Sequence, residues 1–157
     1  MNTDKNPSEF KIVRIGRIIK EVTGNYLEIE EKYREGLKEL ENYSYIHVYW
    51  WAHEFDKPVH RNVLVTEIPY SKTEINAGVF ACRSPERPNL IMDTICKIRG
   101  ISKSSGEIFI ENIDAVSNTP IIDIKPYIPC VDRVKQAKLP KWFPIEWGEW
   151  LPDKGIT

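Results

Sequence analysis

The chain contains 157 residues, enough for one domain with a single hydrophobic core. Its 22 basic and 23 acidic residues leave a formal net charge of −1 at pH 7, which excludes a uniformly basic surface for nucleic acid. No apolar run approaches the roughly 20 residues of a membrane helix, and the N-terminus lacks the basic start and apolar stretch of a secretory signal. We therefore expect a cytoplasmic protein without a membrane segment.

The first third of the chain alternates between strand-like and helix-like patterns. Residues 1–9 are predicted to form a loose tail. Residues 10–19, FKIVRIGRII, partly alternate apolar with basic side chains, as a half-buried strand does. In residues 31–43, apolar side chains spaced by four and then three residues predict one helix with a single apolar face, formed by Tyr33, Leu37 and Leu40. Residues 45–52, YIHVYWWA, are dense in aromatic and β-branched side chains and predict a buried strand.

The middle of the chain predicts further short strands. Residues 61–68, 91–101 and 107–113 have strand-like composition, and turn signals containing Pro, Ser or Gly separate them. Many short strands with one short helix favour a mainly β fold, either a small barrel or a sandwich. No GxGxxG follows a strand, so the dinucleotide-binding type of α/β fold is not indicated.

The C-terminal segment, residues 135–157, differs from the domain of residues 10–134. It contains Pro140, Pro144 and Pro152 and three of the five tryptophans, Trp142, Trp147 and Trp150. Closely spaced prolines disfavour a regular helix, and tryptophans are costly to leave in water. We expect this tail to pack on the domain or on a partner subunit, and a base-stacking platform is the alternative.

The cysteines and histidines do not predict a metal or disulfide site. Cys82, Cys96 and Cys130 are widely separated and odd in number, which is typical of reduced thiols. Together with His47, His53 and His60, they form no CxxC or HxxxH pair. The sequence therefore indicates no metal centre.

Two segments hold more polar residues than core packing requires. In residues 78–89, GVFACRSPERPN, two prolines stiffen a loop that presents the donors of Arg83, Ser84, Arg87 and Asn89. In residues 123–129, DIKPYIP, the side chains of Asp123, Lys125 and Tyr127 point to one side of an extended stretch, and Ile122, Ile124 and Pro126 to the other. Taken alone, each of these residues is also compatible with an ordinary ion pair or core role.

These segments resemble two signatures of the TrmO-like (TsaA-like) family of S-adenosylmethionine-dependent tRNA methyltransferases. GVFACRSPERPN is similar to the family's GVFATRSPxRPNPIG, and DIKPYIP is similar to its TPxLDIKPYxP. EKYREGLKELENYSYIHVYWWAH, residues 31–53, is similar to the family line that precedes the first signature. The resemblance runs from about residue 10 to about residue 133. We call residues 78–89 the signature loop and residues 123–129 the DIKPY segment.

The resemblance implies a small closed or partly open β-barrel that binds S-adenosylmethionine, forms a homodimer and methylates the exocyclic amine of a modified adenosine in tRNA. Carried over by position, it assigns cofactor binding to His53, Arg83, Ser84, Arg87 and Asn89. It assigns catalysis, where cofactor and acceptor meet, to Asp123, Lys125 and Tyr127. Without a nearby base in sequence, Cys82 is expected to be a packed thiol.

The chain departs from the family pattern after the signature loop. Leu90 and Met92 stand where the family has proline and glycine, and Met92 removes the conformational freedom that glycine gives. The resemblance is therefore to a divergent member. Two alternatives stay open: methylation of a small molecule, and a non-catalytic S-adenosylmethionine-binding module.

Overall fold

A computed structural model describes residues 8–152, and its main element is a closed barrel of six strands. The described part contains eight strands: β1 (Gly16–Glu21), β2 (Gly24–Ile29), β3 (Tyr45–Trp51), β4 (Val65–Glu67), β5 (Asn76–Gly78), β6 (Ile91–Ser102), β7 (Glu107–Ile110) and β8 (Pro120–Pro126). Antiparallel neighbours follow the order β1–β2–β7–β6–β3–β8 around the barrel, and β4 pairs with β5 outside it. The predicted mainly β barrel is confirmed, and it is closed.

Strand β3 divides its side chains between the barrel interior and the outer wall. Ile46, Val48 and Trp50 are buried in the core, while His47 and Tyr49 alternate with them and lie on the outside. Because β3 pairs with β6 on one side and β8 on the other, its outer side chains lie between those of two neighbours. The outer side chains of β3 therefore lie beside those of β8, the strand that contains the predicted residues Asp123 and Lys125.

Strand β8 contains a bulge that the alternation pattern did not predict. Tyr49 pairs with Asp123, but the next residue of β3, Trp50, pairs with Ile121. The skipped Ile122 lines a groove on the outside of the barrel, so the prediction that it lies on the side opposite Asp123 is wrong. One extra residue on a bulged strand shifts the alternation by one position.

The first strand is shorter than predicted and begins at Gly16 instead of residue 10. A side chain at Gly16 would bring Cβ within 2.3 Å of the carbonyl oxygen of Glu28, so glycine lets β1 approach β2. Residues 10–14 form no strand and border the same outer groove as Ile122. Of the predicted N-terminal tail, residues 1–7 lie outside the described residues.

The single helix predicted over residues 31–43 is wrong in type and continuity. The structure has two 3-10 helices, Glu31–Leu37 and Leu40–Asn42, separated by Glu39 in the left-handed region at φ 68°. The apolar face is nevertheless present, because Leu37 and Leu40 are buried. In a 3-10 helix it is residues i and i+3 that lie on one side, so the pattern located the buried side chains but predicted the wrong type of helix.

Two short α-helices border the site: α1 (Pro58–Arg61) and α2 (Pro129–Asp132). Each begins with a proline, which suits the first helical turn. No helix in residues 8–152 is long and apolar enough to span a bilayer.

The Trp/Pro-rich tail packs on the β4–β5 hairpin through an aromatic cluster around Tyr70. The Tyr70 ring centroid lies 5.0 Å from that of Trp147, 5.9 Å from that of Phe143 and 6.2 Å from that of Trp142. Trp150, in contrast, is 67% exposed. The last five residues of the predicted tail, 153–157, lie outside the described residues.

Candidate functional site

The signature loop is held in shape by one of its own predicted ligand-binding residues. The Arg87 guanidinium donates hydrogen bonds to the carbonyl oxygens of Ser84 at 2.9 Å and Cys82 at 2.6 Å, and also to that of Val79. The Ser84 hydroxyl accepts a hydrogen bond from the Glu86 backbone N–H at 3.2 Å. Arg87 and Ser84 therefore bind within the loop itself, which fixes the position of the residues between them.

Helix α1 attaches the same loop to the barrel. His60 Nδ1 lies 2.6 Å from Glu86 Oε1, and Arg61 donates a hydrogen bond to the carbonyl oxygen of Pro88 at 2.9 Å. Arg61 also donates to Asp56, and this hydrogen bond is the largest cause that lowers the pKa of Asp56. Neither His60 nor Arg61 was predicted as a site residue, because only the fold brings α1 against the loop.

The loop forms one edge of a cavity of about 270 Å³. Its walls combine buried barrel residues with residues from three loops: Trp50, Ala52, His53, Glu54, Phe55, Arg83, Pro85, Met92, Asp114, Ala115, Val116 and Thr119. Of the predicted cofactor-binding residues, the structure brings together His53 and Arg83 here. Ser84, Arg87 and Asn89 do not line this cavity, and Asn89 is exposed.

Arg83 is available to a ligand in this cavity. No hydrogen bond or ion pair joins its side chain to another residue within the described range 8–152, in contrast to the three bonds of Arg87. The ordinary ion pair with Asp123 considered from the sequence is absent there, since Asp123 contacts Lys125. A guanidinium beside aromatic walls can donate charge-assisted hydrogen bonds to an anionic ligand group.

The two residues that depart from the family pattern lie on the cavity side of the barrel. Leu90 is fully buried, and its carbonyl oxygen accepts a hydrogen bond from the Ala52 N–H at 2.9 Å. Met92 pairs with Trp50 across β3 and β6, is 8% exposed and lines the cavity. Met92 therefore contributes directly to the shape of the pocket.

The predicted catalytic residues lie on the outer face of the barrel. Asp123 and Lys125 are 55% and 62% exposed, and Lys125 Nζ lies 3.8 Å from Asp123 Oδ2. The Tyr127 ring stacks on that of His47, with centroids 5.8 Å apart. The prediction that these three side chains share a face agrees with this placement, and His47 belongs to the same face.

Acidic groups surround this outer face. His47 Nδ1 lies 3.0 Å from Asp93 Oδ1, and its Nε2 lies 3.6 Å from Asp132 Oδ1 in α2. Burial raises the pKa of Tyr49, and the charges of Asp93, Asp123 and Asp132 raise it further. Tyr49 is therefore a protonated phenol at neutral pH. His47 and Tyr49 gave no signal in the sequence because β3 has the composition of an ordinary buried strand.

Cavity and outer face lie on opposite sides of the barrel wall. Trp50 points into the core at the cavity, whereas Tyr49 and His47 point outward beside Asp123 and Lys125. Within one chain, none of the three predicted catalytic residues lines the cavity that contains Arg83. The cavity and the predicted catalytic residues are therefore two separate groups within one chain.

The cysteine side chains belong neither to the lining of the cavity nor to the outer face around Asp123. All three are free thiols, and burial raises the pKa of Cys96 to about 12, with Asp114 and Asp93 adding to the effect. Cys82 contacts the carbonyl oxygen of Val79 inside the loop. Among residues 8–152, no group of three or more His, Cys, Asp or Glu side chains is arranged to hold a metal ion.

Comparison with known proteins identifies the family. The model of the tRNA-methyltransferase O N-terminal domain matches residues 5–133. The chain belongs to this family. A relative in Pyrococcus horikoshii, named a probable S-adenosyl-L-methionine-binding protein, is 38% identical over 81% of this chain and 89% of its own length. A relative of the same description in Methanocaldococcus jannaschii is 40% identical over 69% of this chain and 85% of its own length.

Other members are longer than the matched domain. A relative in Archaeoglobus fulgidus is 33% identical over 82% of this chain, but the match covers only 32% of that protein. A crystal structure of TrmO from Pseudomonas aeruginosa superposes with a TM-score of 0.64 at 22% identity, over 88% of this chain and 63% of that one. At this identity the superposition establishes the fold alone.

Proposed function

We propose that the protein binds S-adenosylmethionine in the cavity beside the signature loop and transfers its methyl group to the exocyclic amine of a modified adenosine in tRNA. The observation that carries this proposal is the convergence of His53 and Arg83 on one cavity with an aromatic wall. The family assignment and the names of the relatives support the choice of cofactor.

The residues around the cavity fit this cofactor. Arg83 has donors for an anionic group, and Trp50, Phe55 and Met92 offer apolar surface that excludes water. Arg87, His60 and Arg61 hold the loop in place before a ligand arrives, which lowers the cost of ordering it on binding. S-adenosylmethionine supplies an already activated methyl group, so the protein needs no nucleophilic side chain.

The DIKPY segment is proposed to serve the acceptor. Asp123 accepts the proton that the attacking amine loses, directly or through water, and Lys125 holds Asp123 or an acceptor phosphate. Tyr127 stacks on His47 and presents an aromatic ring beside these groups. The main contribution of the protein is then to align donor and acceptor.

A homodimer completes the proposed site. Because the predicted catalytic residues do not line the cavity of their own barrel, we propose that the outer face contacts the cavity of a second copy. In a two-fold symmetric dimer this contact occurs twice and gives two equivalent sites. Each site then takes Arg83 from one copy and Asp123, Lys125 and Tyr127 from the other.

The decisive test separates binding from transfer. Calorimetric titration of the purified chain with S-adenosylmethionine is expected to show binding that Arg83→Ala weakens. Label from methyl-labelled cofactor is then followed into total RNA and into a metabolite extract. Label in tRNA supports the proposal; label only in metabolites establishes the small-molecule alternative. Binding without transfer to either establishes the non-catalytic module, and no binding at millimolar ligand overturns all three.

A further inference from the structure

Asp114 has the most defined hydrogen-bond environment of the acidic groups that line the cavity. The Trp50 indole N–H donates to the Thr94 hydroxyl at 3.0 Å, and the Thr94 hydroxyl donates to Asp114 Oδ1 at 2.6 Å. Because the hydroxyl has a single hydrogen and already accepts one from Trp50, its own hydrogen points at the carboxylate. Trp50 is only 7% exposed, so this chain of bonds begins in the core and fixes Asp114 at the cavity.

The second oxygen of Asp114 is left for a ligand. Within residues 8–152, no hydrogen bond or ion pair engages Oδ2. Asp114 and Glu54, the other acid of the cavity, are both exposed, but in that range the Glu54 side chain has no hydrogen bond to fix it. A fixed carboxylate with an open oxygen is suited to an ammonium group, since charge-assisted bonds are short and directional.

Arg83 and Asp114 give the cavity one fixed charge of each sign. Asp114 reaches it from the segment after β7, and Arg83 from the signature loop. A volume of about 270 Å³ lies just below the roughly 300–1,000 Å³ typical of whole-ligand pockets, so it suits part of a ligand. An α-amino acid group combines one carboxylate with one ammonium and matches this pair.

Building on the S-adenosylmethionine binding proposed above, we infer that the cavity holds the amino-acid end of the cofactor. Asp114 binds the ammonium and Arg83 binds the carboxylate. The nucleoside then extends along the signature loop toward the solvent. Asp114 is thereby a specificity-determining residue for ligands that carry an α-amino acid group.

Three ligands separate this assignment from its alternatives. S-adenosylmethionine and S-adenosylhomocysteine both carry the amino-acid end, and 5′-methylthioadenosine lacks it. In calorimetric titrations, Asp114→Asn is expected to weaken both amino-acid ligands about 10- to 100-fold and to leave 5′-methylthioadenosine within about twofold of wild type. Asparagine keeps an oxygen for the Thr94 hydroxyl, and an unchanged thermal midpoint verifies the fold of the variant.

Each other result overturns the inference in a distinct way. An equal loss for all three ligands places Asp114 beside the nucleoside, and a loss for S-adenosylmethionine alone places it beside the sulfonium. A selective loss in Glu54→Gln and not in Asp114→Asn assigns the ammonium to the other acid. If the wild-type chain binds none of the three ligands, the proposed function itself fails.

Discussion

Arg61 donates a hydrogen bond to the carbonyl oxygen of Pro88 at 2.9 Å, so a four-residue helix fixes the end of the signature loop. The Arg61 guanidinium also lies 5.3 Å from the centre of the Trp51 ring and bonds to Asp56. Arg61 therefore joins the loop to the end of β3, and the residues around that end, Trp50, Ala52 and His53, line the cavity. Neither partner of the Arg61–Pro88 bond lines the cavity, so the bond acts on ligand binding through the loop.

Arg61→Ala is expected to reduce both stability and ligand affinity. Loss of the bonds to Pro88 and Asp56 should lower the free energy of unfolding by about 1–2 kcal/mol. S-adenosylmethionine binding should weaken because the loop must be ordered on binding. Denaturant unfolding and calorimetric titration measure the two effects. Arg99→Ala, which removes only a surface pair with Glu111, is the matched control and should change neither quantity appreciably.

The two arginines of the signature loop should separate into a structural and a binding residue. Arg87→Ala leaves three loop carbonyls without their partner and should cost about 1–3 kcal/mol of unfolding free energy. Arg83→Ala should change the unfolding free energy by no more than about 0.5 kcal/mol. It should nevertheless weaken S-adenosylmethionine binding about 10-fold or more. A large loss of stability in Arg83→Ala would contradict its assignment to the ligand.

A mixture of two impaired variants should recover activity if the site is shared between copies. Arg83→Ala impairs cofactor binding in the cavity, most clearly at a cofactor concentration below the Kd of the variant, and Lys125→Ala impairs the outer face. After co-refolding of equal amounts, a mixed dimer contains one site with both mutations and one with neither. Methyl transfer should then return to about a quarter of the wild-type rate. Recovery of no activity, while native mass spectrometry detects the mixed dimer, would place both residues in a site within one chain.

Strand-like composition was enough to predict two of the strands that form the site. Residues 45–52 and 91–101 were predicted as strands, and the structure has Tyr45–Trp51 and Ile91–Ser102. Strand β2 was not predicted, because Leu27 and Ile29 are its only fully buried side chains and charged residues surround them. Local patterns thus identify strands with a full apolar face and miss those with a partial one.

The cavity could not be predicted from local sequence because closing the barrel creates it. His53 and Arg83 entered by position in the family motifs, and the structure brings them together. Asp114 is an isolated acid in a loop, and only its bond to Thr94 on β6 distinguishes it. The separation of the DIKPY segment from the cavity could not be predicted either. Alternation assigns a residue to one face of a strand, but it does not say which face is inside a closed sheet.

The aromatic tail should stabilise the domain through Trp147 and not through Trp150. Trp147 lies against Tyr70 and Phe143. Trp150 is largely exposed, and its one ring contact within residues 8–152 is with the Arg133 guanidinium, 5.4 Å from the ring centre. Trp147→Ala should therefore cost about 2 kcal/mol, below the ~3–5 kcal/mol of a fully buried tryptophan. Trp150→Ala, its matched control, should cost under about 1 kcal/mol. Equal losses in denaturant unfolding would show that the cluster around Tyr70 is not what holds the tail. RNA binding lost in Trp150→Ala without loss of stability would favour the base-stacking platform.

Met92 is the departure from the family pattern with the most direct consequence, since it lines the cavity opposite Trp50 across the strand pair. Met92→Gly removes the whole side chain and enlarges the cavity, and it also places glycine in the interior of a central strand. The free energy of unfolding should fall by about 2–5 kcal/mol, from the lost side chain and the added backbone freedom. Met92→Ala keeps the strand propensity closer to that of the wild type and separates the effect of space from that of backbone freedom.

If the methionine narrows the pocket, both variants should bind S-adenosylmethionine more tightly in calorimetric titrations at a temperature where they remain folded. Weaker binding in both would mean that the Met92 side chain packs against the ligand, and a ligand different from that of the family would then become the better hypothesis.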